Sequence, residues 1–373
     1  MNPESAATAD SSTFLGKGTY GQVRREGNEA IKYFRVLPEL VQEYVVLLYL
    51  SDCPHVIKSL GASATKLSVR LPLYDCSLQQ WLQTNDVNQQ SAKVDRIIYS
   101  LVRGLSDMHS RGIVHGDLKP SNVLVKEGDM MPGESRPESF SVVIADCGFS
   151  SVYKYAKIDR TAPAYRDAKI VYDGHHDMFS LAVVLFELAG MKVRRIMSRA
   201  ELVNIGRSLP QSKARDMAMY ILNSPRELTS HQLLKKYYDE QSSRPTNNYR
   251  LGRRLIDELR ESSPYLRQIQ AWAAGTNQIG SVPRKNCGAY ALAAYLHYNP
   301  EEVKHLPTLL YAMLYMLVCM FSRSCKLTTR IGMCAVNSGI SEADLVQQIG
   351  NLTSSPSFIC PLMSVWKKKS PNK

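Results

Sequence analysis

The chain has no two cysteines spaced C-x-x-C and no cluster with metal-ligand spacing, although it carries eight cysteines. A zinc-built or disulfide-built scaffold therefore finds no support, and a reducing, intracellular setting fits better. It also lacks any run of the ~20 apolar residues that a bilayer-spanning helix requires. The strongest apolar stretch, Leu306 to Phe321, has sixteen residues and includes Pro307 and Thr308, so it reads as a buried core helix. The first twelve residues have neither a basic start nor an apolar core. They read as a disordered lead-in, not a signal peptide. Internal repeats are absent. Stability must come from ordinary hydrophobic cores, and 373 residues with 44% hydrophobic content suffice for two domains.

Acidic residues are few in the second half. Residues 241–373 hold sixteen Lys/Arg against seven Asp/Glu, so they carry +9 of the formal net charge of +12. Such an excess suits an acidic partner such as nucleic acid, membrane surface or acidic protein. It equally suits simple solubility. The sequence leaves both readings open.

Chemistry concentrates in His115-Gly116-Asp117-Leu118-Lys119-Pro120-Ser121-Asn122, which follows a helical run and precedes the strand-like Val123-Leu124-Val125. An Asp, a Lys two residues on and an Asn three further can converge in one turn. The Asp can accept a hydroxyl proton, the Lys can neutralise phosphate charge, and the Asn can hold a metal ion. Phosphoryl transfer needs these roles, because its catalysis is mostly positioning and charge stabilisation. A solvated loop with chance polar residues is the alternative, and the ordered motifs on both sides argue against it. The octapeptide resembles the catalytic loop of eukaryotic-type serine/threonine protein kinases, H-R-D-L-x-x-x-N, with Gly116 in place of the Arg.

Upstream, Gly16-Lys17-Gly18-Thr19-Tyr20-Gly21-Gln22-Val23 is a glycine-rich turn entering a strand. G-x-G-x-x-G alone is weak, since dinucleotide folds use it between a strand and a helix. Here a β-hairpin follows, turning at Glu26 to Glu29 and returning through Ala30-Ile31-Lys32, which matches the kinase V-A-I-K strand. The resemblance implies that Leu15, Gly16, Lys17, Gly18, Thr19, Tyr20, Gly21, Val23 and Ala30 line an ATP site. It also implies that Lys32 holds the α- and β-phosphates. A helix is expected from Pro38 to Leu50, with Leu40, Val46, Leu47 and Leu50 on its apolar face. The resemblance implies that it carries a Glu, at the family's spacing, that pairs with Lys32. Glu43 fits that spacing best, and Glu39 is the alternative. Leu67 to Leu78 reads as the last strand and hinge. By resemblance, Leu71 lies behind the adenine, which bonds the Pro72 carbonyl and the Tyr74 N–H.

An amphipathic helix, Val94 to Ser110, leads to the catalytic loop. Carried over from the family, Asp117 is the base, Lys119 marks serine/threonine rather than tyrosine specificity, and Asn122 binds Mg²⁺. Residues 126–139 form a loop insertion without a chemical role. The strand Ser141 to Ala145 then delivers Asp146-Cys147-Gly148, a variant of D-F-G in which Asp146 chelates Mg²⁺ and Cys147 is a smaller, looser plug than Phe. The activation segment runs to about Lys169, which stands where the family's motif has Glu. The later segment places Glu227 where the family has Arg, so a Lys169–Glu227 pair of reversed polarity is one reading and two unrelated surface charges the other. Asp177 opens a helix matching D-x-W-S-x-G and is expected to hydrogen-bond the catalytic-loop backbone.

The resemblance ends near Lys236. It implies an α+β, bilobal kinase fold over residues 13–238, with lobes at 13–75 and 76–238. A linker, 239–250, and a mainly α-helical extension, 251–373, follow. Helices are expected at Ala289–Leu296, Leu306–Phe321 and Ser341–Ile349, the last with Ser341 as N-cap. The implied activity is ATP- and Mg²⁺-dependent phosphorylation of protein Ser/Thr hydroxyls. Implied partners are protein substrates, a regulatory partner for the extension and, on charge alone, nucleic acid. Departures at Gly116, Cys147 and Lys169 are similar to the drift of divergent kinases, including those of large DNA viruses. The rival reading is a non-catalytic pseudokinase or scaffold.

Gly116 removes the Arg that in many kinases pairs with a phosphorylated segment residue. Alanine at Ser150, Ser151 and Thr161 together is therefore expected to leave activity intact. Phosphotransfer by the purified triple variant checks this, and its loss with folding retained would reject it.

Overall fold

The computed structural model describes residues 13–17, 21–128, 140–152, 174–193, 197–224, 228–240 and, with short breaks, most of 254–364. Gly18, Thr19, Tyr20, Thr161, Lys169, Glu227 and the linker residues 241–250 lie outside these.

Five antiparallel strands open the chain: β1 (Thr13–Lys17), β2 (Gly21–Glu26), β3 (Glu29–Phe34), β4 (Gly61–Ser63) and β5 (Ser68–Pro72). They pair in the order β1-β2-β3-β5-β4. The expected hairpin forms, with Val23 opposite Lys32 and Glu26 opposite Glu29. On β3 the register then sets Ala30 opposite Leu71 and Lys32 opposite Val69. Helix α1 (Leu37–Tyr49) sits between β3 and β4, with Pro38 in its first turn, where a missing N–H costs nothing.

The second lobe is helical. It comprises α2 (Leu78–Thr84), α3 (Ser91–Ser110), α4 (Gly174–Leu188), α5 (Arg199–Ser208), α6 (Lys213–Asn223) and α7 (Ser230–Tyr238). Short strands carry the functional turns: β6 (Cys76–Ser77), β8 (Val123–Lys126) and β9 (Ser141–Ile144) form one sheet. β7 (Ile113–Val114) pairs with β10 (Ser151–Val152). Helix α3 starts three residues before the expected Val94, because its polar first turn carries no apolar periodicity. Its core residues Ile97, Ile98, Leu101, Val102, Leu105 and Met108 are fully buried.

Among the described residues six further helices are bounded: α8 (Leu266–Gly275), α9 (Lys285–Tyr298), α10 (Leu306–Phe321), α11 (Cys325–Asn337), α12 (Glu342–Ser354) and α13 (Pro356–Ser364). Ser341 caps α12, accepting from the Asp344 N–H at 3.1 Å. A 3₁₀ turn at Pro300–His305 leads directly into α10. The combined helical run is 22 residues, longer than the sixteen read from sequence and long enough to span a bilayer. It is nevertheless largely buried among other helices, as a core helix is.

These helices do not stand apart from the lobes. α10, α12 and α13 all pack against α1, and α10 also reaches β10. That contact corrects the one-faced reading of α1. Besides Leu40, Val46, Leu47 and Leu50, the structure buries Val41, Tyr44, Val45 and Tyr49. A helix that is apolar nearly all round must be covered nearly all round. Covered so, its backbone amides should exchange with solvent as slowly as those of α3. Hydrogen exchange on the intact chain measures this, and α1 exchanging much faster than α3 would contradict the packing.

Candidate active site

β3 places Lys32 facing inward, and α1 brings Glu43 to meet it. The Lys32 ammonium donates to Glu43 Oε2 at 2.6 Å and to Asp146 Oδ1 at 2.6 Å. Glu39, one turn earlier on α1, is not the partner the structure selects. Burial works against the Lys32 charge, but the carboxylates of Asp146 and Glu43 outweigh it and raise its pKa. Burial likewise opposes ionisation of Asp146, yet Lys32 beside it holds the carboxyl below its usual range. Glu43, more deeply enclosed, is pushed up to about 7 by burial despite Lys32. One cation thus serves two carboxylates, and with both ionised the group carries a surplus negative charge. Asp146 is the member that keeps access, with 28% of its side chain exposed.

The catalytic loop lies against this group. Lys119 Nζ donates to Asp117 Oδ2 at 2.6 Å. Asn122 Nδ2 donates to the Asp117 carbonyl at 2.9 Å and to Oδ2 at 3.1 Å. Asp117 itself is buried. Gly116 has φ +81°, a left-handed conformation that a side chain disfavours. The residue read from sequence as a lost Arg therefore also answers a backbone demand. Asp146 adopts φ +60° without being glycine, which costs local strain and requires support from its surroundings.

Two residues without an assigned role in the sequence reading turn out to fix this loop. His115 Nε2 bonds the Ala145 carbonyl at 3.0 Å, while its Nδ1 accepts from the Asp117 N–H at 3.3 Å. His109 Nε2 donates to Asp177 Oδ2 at 2.9 Å. Asp177 in turn accepts the His115 N–H at 2.8 Å and the Gly116 N–H at 2.9 Å. It is the backbone support expected of it, and the histidine beneath it was not legible, since α3 and α4 meet only in three dimensions.

The residues expected to face a nucleotide are described in part. Ala30 and Leu71 are buried in register, Val23, Pro72 and Tyr74 are half-buried, and Leu15 and Lys17 are exposed. At Gly21 a Cβ would overlap the Tyr33 carbonyl oxygen, so this glycine also serves the close approach of β2 and β3. Cys147 is fully buried in a 3₁₀ turn, Cys147–Phe149, packed on α1, rather than a loosely seated plug. Ser150 is only 1% exposed, and its Oγ donates to the His115 carbonyl at 3.2 Å. That removes Ser150 from the candidate modification sites, because a phosphate has no room there. Ser151 and Thr161 remain the informative positions, because alanine at Ser150 would also remove this bond between the turn and the His115 loop.

Among the described residues no three or more His, Cys, Asp or Glu converge as a metal cage. The donors present fit a different arrangement. Magnesium typically takes one or two carboxylates and completes its shell with phosphate oxygens and water. Asp146 and Asn122, with Lys32 at hand for phosphate, fit a magnesium-bound nucleoside triphosphate.

Comparison with known proteins points to the same family as the sequence motifs. The family model described as the protein kinase domain matches residues 10–199, just over half of the chain. The chain is similar to the serine/threonine-protein kinase pakE of Dictyostelium discoideum, 28% identical over 196 residues, 47% of this chain and 20% of pakE. It is similar to dst4 of the same organism, 25% identical over 201 residues, 48% of this chain and 40% of dst4. A protein of Acanthamoeba polyphaga mimivirus, assigned by inference to the serine/threonine kinases, is 25% identical over 278 residues. That match covers 68% of this chain and 48% of the relative, so it reaches past α7. The chain spans less than two thirds of the length of each of these relatives.

Asp177 offers a test of the scaffold. Burial opposes its charge, but the hydrogen bond and charge of His109, with His115 and His176 near, bring its pKa down to about 2. A depressed carboxyl stabilises the fold above its ordinary pKa and loses that contribution as pH falls through the folded value. The shift corresponds to about 2 kcal/mol. Asp177→Asn should therefore be clearly less stable than wild type at pH 5 to 7, with the gap narrowing below about pH 4. Urea unfolding across that range measures it, and a gap constant with pH would contradict the assignment.

Proposed function

Because the chain belongs to the protein kinase domain family, we propose that it is an active serine/threonine protein kinase using ATP and Mg²⁺. The observation that carries this reading is the Lys32–Glu43–Asp146 group, assembled beside Asp117, Lys119 and Asn122. When bound, MgATP supplies the transferable γ-phosphoryl group and the cation that neutralises it. The chain supplies the rest. Asp146 and Asn122 present oxygen ligands for the metal, and Lys32 orients the α- and β-phosphates. Asp117 accepts the proton of the attacking hydroxyl and orients it in line. Lys119, bonded to that carboxylate, holds it in place and offsets charge on the phosphoryl oxygens. Lys119 favours Ser and Thr as acceptors over Tyr.

The extension is proposed to regulate this site from within the same chain. What supports this is its contact with α1 and β10, the two elements that carry Glu43 and begin the activation segment. An intracellular setting is proposed from the cysteines, all eight of which are free.

The experiment is ³²P transfer from ATP with Mg²⁺ to a generic basic protein, comparing wild type with Asp146→Asn. Wild type should label Ser/Thr, and the variant should be at least about a hundredfold slower. If neither transfers phosphate while ATP still binds, the scaffold reading takes precedence.

A further inference from the structure

The turn that presents Asp146 leaves α1 a second role. Gln42, immediately before Glu43, is half-buried, and its side-chain Nε2 donates to the Ser150 carbonyl at 3.0 Å and, at longer range, to the Gly148 carbonyl at 3.4 Å. Both acceptors are carbonyls, so only the amide nitrogen can face them, and the orientation of the side chain is fixed by chemistry. Ser150 Oγ then donates to the His115 carbonyl, and the His115 ring bonds the carbonyl of Ala145. The left-handed Asp146 is thus gripped on both sides. Its preceding carbonyl is tied to the catalytic loop and its following turn is tied to α1.

We infer that Gln42 is a positioning residue for phosphoryl transfer, acting through Asp146. It fixes the Asp146–Ser150 turn to α1 by uncharged hydrogen bonds, so that the metal-ligating carboxylate is aimed without a phosphate on the segment. This rests on the kinase reading above and extends it. The charged alternative is missing at Gly116, and an amide cannot replace it as a phosphate receptor, since it bears no charge. Glu43 and Gln42 divide one helix between two tasks: the first orients Lys32, and the second orients the turn. Covering of α1 by α10, α12 and α13 then reaches the metal ligand through a side chain and not only through the Lys32 pair.

Gln42→Met keeps length and packing but removes both donors. Gln42→Glu keeps shape but sets a carboxylate against two carbonyls. Gln42→Arg keeps donors. Two readouts separate this inference from the kinase reading. The first is hydrogen exchange at residues 147–152 without nucleotide. It should quicken about fivefold in Gln42→Met, more in Gln42→Glu, and recover in part in Gln42→Arg, while the melting temperature stays near wild type. The second is phosphotransfer against Mg²⁺ concentration. The Met and Glu variants should need severalfold more Mg²⁺ for half-maximal rate and show lower kcat, with the KM for ATP at saturating Mg²⁺ little changed. Unchanged exchange in Gln42→Met and Gln42→Glu overturns the inference whatever the activity. Quickened exchange with an unchanged Mg²⁺ dependence overturns the link to Asp146. A wild-type protein that transfers no phosphate fails the kinase reading, and the exchange result then still decides whether Gln42 holds the turn.

Discussion

A single ammonium group stands between the two halves of this site. Lys32 rises from the sheet, Glu43 descends from α1, and Asp146 arrives from the far lobe, and all three meet within hydrogen-bond distance. A buried ion pair of this kind is poor at stabilising a fold, because desolvation consumes most of the Coulomb gain. Its value lies in register. Displacement of α1 or of the Asp146 turn leaves a charge buried without its partner, and that state is strongly disfavoured. The arrangement therefore behaves as a coincidence detector for the positions of a strand, a helix and a turn.

The rest of the structure keeps those three elements in place by means that differ in kind. The strand is held by its neighbours in register. The turn is held by hydrogen bonds to His115 and Gln42. The helix is held by hydrophobic cover. α1 has few polar residues to spend on water, and both of its broad faces are buried, one toward the site and the other beneath α10, α12 and α13. Beneath the catalytic loop, Asp177 gathers two backbone N–H groups and a histidine into one buried carboxylate. It bridges α3, the loop and α4 where no apolar contact could fix a direction.

Much of this was legible in the sequence wherever local spacing carries the signal. The glycine turn, the Ala30-Ile31-Lys32 strand and the Asp117/Lys119/Asn122 spacing each report on neighbours within one turn or hairpin. Glu43 could be preferred over Glu39 because it fits the spacing that the family resemblance implies. The histidine under Asp177 and the bridge from Gln42 were not legible, since each joins residues far apart in the chain through a single hydrogen bond. Three helices of the extension, α8, α11 and α13, went unread because their apolar residues are too sparse or too interrupted to give a clear period. The second apolar face of α1 was visible in Val41, Tyr44 and Val45. Without the fold, nothing said what would cover it.

That cover has a consequence for how the molecule comes into being. The last residue of α1 is Tyr49 and the first of α10 is Leu306, so the partners of α1 are made more than 250 residues after it. At typical synthesis rates of ~5–20 residues per second, tens of seconds separate them. During that interval an apolar helix face has no native surface to rest on, and both lobes have already left the ribosome. Contacts of such long range also make the final docking step slow relative to the folding of either lobe. The covalent link offsets this by making the eventual partner intramolecular, present at one copy per copy and independent of its concentration in the cell.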